Sequence, residues 1–237
     1  MVHVDGGLDP EAARSRLERA VAAVAQAFCG ETAAADETNC ACHWGSAEEL
    51  ALLKRPGLPL GSDLLFRTWW EPGWRDHPAV LRRILPEFAA ALAAGGVAAF
   101  WLAEAGGSVA RGRWQRWPVA QAEAVAEFLR AWWWACLVCP EETAPMSEVL
   151  AACVEASGEI RSWLVMWDAA TAGGPPTRRS VAEVARAWQD ELPHADLPWS
   201  SLLEAEVEEA LSAELSAWLR CRAPAVLWDR DEEGSPG

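Results

Sequence analysis

The 237-residue sequence predicts an all-α protein: an irregular antiparallel helical bundle or a short α-solenoid of helical hairpins, with little or no β structure. Three observations carry that expectation. Alanine, the strongest helix former, occurs 47 times. Runs that alternate apolar and polar residues are almost absent. Apolar residues instead recur at steps of three and four between short Gly/Pro connections, the pattern of helical hairpins. No repeat is sustained along the chain, which favours a bundle over a solenoid.

The elements follow in order. Residues 1–8 read as a flexible leader, ahead of a single all-α domain over 9–228. Asp9-Pro10-Glu11 opens a helix with an N-cap acid, proline at the first helical position and an acid in the first turn. Leu17, Val21, Val24 and Phe28 then stack on one face. A polar loop over 31–45 ends at a capping box, Ser46-Ala47-Glu48-Glu49, which starts a short helix. Ser62-Asp63 starts another, carrying Trp69 and Trp70 up to Pro72-Gly73. Asp76-His77-Pro78 opens a longer helix, in which Pro86 is expected to introduce a kink or a division. Residues 97–117 are balanced between a hairpin around Gly106-Gly107 and a helix.

Beyond Pro118 the pattern predicts a helix ending before Pro140, then helices over about 145–156 and 160–170. Gly173-Gly174-Pro175-Pro176 marks a weak internal break at 171–177. A second capping box at Ser180-Val181-Ala182-Glu183 leads to Trp188, and Ser201-Leu202-Leu203-Glu204 starts the last long helix. Residues 229–237 read as a disordered acidic tail.

Charge narrows the range of partners. Twenty Lys and Arg against 35 Asp and Glu give a net charge of −15, which repels phosphate backbones and argues against nucleic acid. The same field attracts a basic partner. The first ten residues lack the charged and apolar regions of a signal peptide, and no apolar run is long enough to cross a bilayer. The expectation is a cytoplasmic protein with reduced thiols and no membrane partner, because seven cysteines show no disulfide framework.

Four features bear on function. Cys40, Cys42 and His43, with His77, offer two thiols and two imidazoles that could bind Zn, although C-x-C is tighter than usual zinc spacing and packed thiols beside ordinary histidines are the plainer reading. Cys136-Leu137-Val138-Cys139 falls at a helix end, where the dipole opposes a reactive thiolate, and reads as buried apolar packing. Tryptophan is abundant, with 16 residues against five Phe and no Tyr. Trp132-Trp133-Trp134 sweep most of a helix circumference, so that helix is sandwiched in the bundle or turns one ring to a pocket or partner. Trp69, Trp70 and Trp74, Trp114 and Trp117, and Trp133 and Trp134 are candidate binding residues; the competing reading has them plug holes between alanine-rich helices. Arg111 and Arg113 beside Trp114 and Trp117 form a candidate patch for anionic or aromatic ligands. No catalytic motif is present, and Arg82-Arg83 are expected to pair with helix acids.

Taken together, the sequence predicts binding rather than catalysis. The leading expectation is a protein-interaction module that takes a protein partner, with a basic one favoured by charge, in the manner of an inhibitor or immunity protein. The alternative is a small-molecule or zinc-binding helical protein, or an enzyme, with its site around the Cys-His loop and His77.

Overall fold

The computed structural model describes residues 8–40, 44–140, 144–172 and 203–222, together with Val184, Trp188, Leu197, Trp199 and Ser201. Among them are nine α-helices and no strand: α1 (Pro10–Ala27), α2 (Ala47–Leu53), α3 (Ser62–Trp70), α4 (His77–Ala93), α5 (Leu102–Arg111), α6 (Val119–Val138), α7 (Met146–Ser157), α8 (Arg161–Ala172) and α9 (Ala205–Arg222). Single 3₁₀ turns lie at Ala99–Trp101 and Trp114–Arg116. The protein is an all-α helical bundle. The leader, the capping box at 180–183, the tail and most of the break at 171–177 lie outside the described residues.

The caps form as their residues dictate. The Asp9 carboxylate accepts from Glu11 N (2.9 Å) and Ala12 N (3.3 Å), and Ser46 and Glu49 close a reciprocal capping box. Asp76 accepts from Ala79 N at 3.0 Å to start α4. Ahead of that cap, Glu37 is fully buried and takes the main-chain N–H groups of Arg75 (3.1 Å) and Asp76 (2.8 Å), which ties the polar loop to α4. Pro86 does not divide α4, which runs unbroken from His77 to Ala93. The turns on both sides of the proline are held in the core by Leu81, Ile84, Leu85, Phe88 and Ala89, and their burial offsets the lost hydrogen bond. Arg83 is buried too, bonding Arg55 O and Leu58 O and lying 3.6 Å from Glu87.

Helix α6 is the central element. It runs antiparallel to α1, as Arg16–Glu127 (2.8 Å) and Gln121–Glu31 (2.8 Å) show, and it also packs against α7 and α8. Trp132 and Trp133 are buried and Trp134 half-buried, so this helix is the sandwiched one. Within 97–117 the structure forms α5 between two 3₁₀ turns in place of a hairpin, and Gly106-Gly107 lie inside α5. The reason is non-local. A Cβ on Gly106 would overlap the carbonyl oxygen of Ala152 and stand 2.9 Å from its Cα, so α5 and α7 meet backbone to backbone. Trp114, just past α5, donates to Ala156 O at 2.8 Å, so the two helices run in the same direction.

Gly106→Ala tests this contact. Alanine raises intrinsic helix propensity by about 1 kcal/mol, yet its Cβ forces the helices apart. The expected outcome in urea denaturation is a net loss of about 1–3 kcal/mol. An unchanged or raised midpoint would show that the pair tolerates a Cβ.

Candidate functional site

The rings of Phe66 and Trp70, one turn apart on α3, lie nearly parallel with centroids 6.0 Å apart. The 3₁₀ turn brings Trp101 edge-on to Trp70 at 4.4 Å, and Phe100 lies 4.8 Å from Trp101. Phe100 is 68% exposed and Trp70 40%, while Phe66 and Trp101 are half-buried. The cluster is rooted inward. Trp69 packs against Phe66 and Trp70 and stacks on the fully buried Phe88 at 5.5 Å. The other large exposed apolar residues among those described, Val119, Val165 and Val207, belong to three different helices, as ordinary surfaces show.

Two carboxylates border this surface. Glu104 follows Phe100 by four residues and Trp101 by three as the 3₁₀ turn runs into α5, which places it one turn along. Glu148, in the first turn of α7, is brought to Glu104 by the close approach of the helices. Burial, and then the charge of Glu104, push the Glu148 carboxyl above its ordinary range. Oε2 of Glu104 is buried without a hydrogen-bond partner, and among the described residues neither carboxylate meets a cation.

Of the residues expected from the sequence to bind, Trp70 alone is part of this surface. Trp69, Trp74, Trp114 and Trp133 are buried and fill the core. Three of them use their N–H groups structurally: Trp74 donates to Thr68 O (2.9 Å), Trp114 to Ala156 O (2.8 Å) and Trp133 to Trp163 O (3.0 Å). Trp134 is half-buried. Trp117, also half-buried, packs edge-on against Phe28 at 5.5 Å, with the Arg82 guanidinium 5.8 Å from its ring. Arg111 is half-buried, and burial lowers its pKa; Arg113 is exposed in a left-handed conformation (φ 52°). The arginines and tryptophans of 111–117 therefore do not form one exposed patch. Phe66, Phe100, Trp101, Glu104 and Glu148 were not singled out by the sequence, although the Phe66–Trp70 spacing of four was a visible signal.

At the expected Cys-His site, Cys42 and His43 lie outside the described residues. Cys40 is disulfide-bonded, which departs from the expectation of reduced thiols, while Cys29, Cys136, Cys139, Cys153 and Cys221 form no disulfide. His77 is buried under α5. Its Nε2 lies 2.9 Å from Ser108 O and therefore carries the proton, leaving Nδ1 without a partner. Ser108 Oγ in turn donates to Trp69 O at 2.8 Å, linking α3, α4 and α5. Among the described residues no group of three His, Cys, Asp or Glu could hold a metal ion, and no helix is long and apolar enough to cross a membrane.

An open, largely apolar groove of about 410 Å³ lies between α1, α4 and α6. Leu17, Val21, Ala90, Ala94, Ala135 and Cys139 line it, with Arg14 and Glu18 also on the α1 side.

No protein-family model, curated protein or solved structure matches this chain.

Two buried titrations give opposite pH dependences. Burial, chiefly, lowers the His77 pKa below 6.5, with Arg111 adding to the effect and the Ser108 bond and Asp76 opposing it. The unfolded chain therefore takes up this proton first, and stability present above about pH 6.5 is lost as pH falls toward the folded value. Urea midpoints of the wild type should decline through that window, and His77→Gln should flatten the decline. Glu148 has the reverse sign: its folded pKa is raised, so the stabilising contribution is complete below 4.5 and lost as pH rises through the folded value. Glu148→Gln should raise stability at neutral pH by roughly 0.5 kcal/mol, and a loss would show that the carboxylate is satisfied in place.

Proposed function

We propose that this chain is a protein-interaction module whose docking face is the surface of Phe66, Trp70, Phe100 and Trp101. The observation that carries this reading is the exposure of Phe100 and Trp70 in continuous contact with rings rooted in the core. Large aromatic rings anchor interfaces because they remove much apolar area from water while losing little rotamer freedom, and here the fixed ring packing lowers the ordering cost further. The net charge of −15 supports a basic partner, whose encounter it accelerates at low salt. An inhibitor-like role toward a cationic protein is one form of this function.

The test passes extract from the host over tagged wild type, a Phe100→Ala/Trp70→Ala variant and a Val119→Ala/Val165→Ala control. Bound proteins should be retained by wild type and control and lost from the aromatic variant; removing the ring contacts of Trp70 costs about 1–3 kcal/mol, so circular dichroism should first show that the variant remains folded. Equal retention by all three would overturn the reading.

A second reading, small-molecule binding, is favoured by the apolar groove, whose 410 Å³ is within the range of ligand sites. An apolar fluorescent dye should bind there and be excluded by Ala94→Leu; binding unchanged by that substitution would remove the reading. Zinc binding through Cys40, Cys42, His43 and His77 would require the Cys40 disulfide to be reduced and Nδ1 of His77 to serve as the ligand atom.

A further inference from the structure

We infer that the partner of this docking face is a basic amphipathic segment, which lays an apolar side chain on the rings of Phe100 and Trp70 and sets a Lys or Arg head beside Glu104 and Glu148. The inference rests on the reading of that face as a docking surface and adds the chemistry of what docks.

The argument is one of charge complementarity. Most other buried or half-buried carboxylates, though not Glu208 on α9, are satisfied within the chain. Glu37 takes two main-chain N–H groups, Glu155 takes Trp199 Nε1 (3.0 Å) and Ser201 Oγ (2.8 Å), Glu127 pairs with Arg16, and Asp168 with Arg222. Glu104 and Glu148 are different: two like charges, partly withdrawn from water, neighbours of one another and without a cation among the described residues. A cation supplied from outside, set against the half-buried Glu148 carboxylate, would relieve the repulsion.

The position of the pair specifies the kind of cation. It lies one helical turn from Phe100 and Trp101, so a long side chain can rest its methylene stem on the rings and deliver its charge to the carboxylates. A bare divalent ion fits less well. Calcium takes six to eight oxygen ligands, and among the described residues no third His, Cys, Asp or Glu joins the pair.

The experiment uses the full chain and two fluorescently labelled probe peptides, one amphipathic with leucines and lysines, the other identical with glutamine for every lysine. Anisotropy titrations compare wild type, Glu104→Gln/Glu148→Gln, Phe100→Ala/Trp70→Ala, and Glu206→Gln/Glu209→Gln, whose exposed α9 acids control for net charge. The lysine peptide should bind wild type about tenfold more tightly than the glutamine peptide. The Glu104/Glu148 variant should erase that difference while leaving the glutamine peptide unaffected, and the α9 control should stay within about twofold of wild type.

Equal binding of the two peptides to wild type, no binding of either, or an equal effect of the α9 control would overturn the inference. If Phe100→Ala/Trp70→Ala then still weakens both peptides, the docking face stands without it. If that variant binds as wild type does, the docking face itself fails. Stoichiometric uptake of calcium or magnesium, lost in Glu104→Gln/Glu148→Gln, would assign the pair to a metal instead.

Discussion

The contact of α5 with α7 at Gly106 is the constraint on which much of the architecture depends. A helix pair separated by side chains leaves room for sliding and repacking; one in which a Cβ would overlap the facing carbonyl oxygen has almost none. That contact fixes α5, and α5 then fixes its neighbours: Ser108 reaches Trp69 O, His77 reaches Ser108 O, and Trp114 closes onto Ala156 O. The same contact brings Glu104 to Glu148 and places both beside the 3₁₀ turn that carries Phe100 and Trp101. The candidate site therefore follows from the core geometry.

Alanine and tryptophan complement one another through the rest of the bundle. Small residues let helices approach closely, and where they diverge a large ring fills the space, as with Trp133, Trp163 and Trp167 between α6 and α8. A buried indole brings one N–H that wants an acceptor, and several bond a carbonyl or side chain outside their own helical turn: Trp163 to Ser157 Oγ, Trp218 to Asp168 and the half-buried Trp199 to Glu155. The indoles thus supply packing volume and a directional tie at once, which a Leu-rich core lacks. Trp44 and Trp167 leave this bond unmade, each offset by close aromatic packing.

What the sequence made legible was local. The caps at Asp9, Ser46–Glu49 and Asp76 form because their donors and acceptors lie within three residues of one another. The sandwiching of α6 was legible because three adjacent rings on a helix cannot share one face. Pro86 misled because its local penalty is outweighed by core contacts that the sequence does not display. Gly106-Gly107 resembled a turn for a related reason: the backbone that makes glycine necessary there arrives from α7, more than forty residues away. The exposed aromatic surface was the least legible feature. Of the adjacent pair Trp69 and Trp70, one is buried and the other 40% exposed, and only the packing of α3 against its neighbours decides which.

An exposed aromatic cluster and a desolvated pair of like charges are each unfavourable in an isolated chain. The rings leave apolar area in water, and the carboxylates repel one another in a medium that screens them poorly. Either alone could be an ordinary imperfection of the surface. Their placement within one helical turn is different, because a single kind of side chain, apolar along its stem and positive at its tip, resolves both at once. Nothing in the bundle supplies it: among the described residues no cation pairs with Glu104 or Glu148, and Arg67, next to Phe66 on α3, is taken up by Trp44 O, Glu49 and Asp63. Glu37, Glu127, Glu155 and Asp168 are satisfied within the chain, whereas this pair is left open beside the exposed rings of Phe100 and Trp70. That contrast, more than the overall negative charge, is what supports the proposed binding at this face.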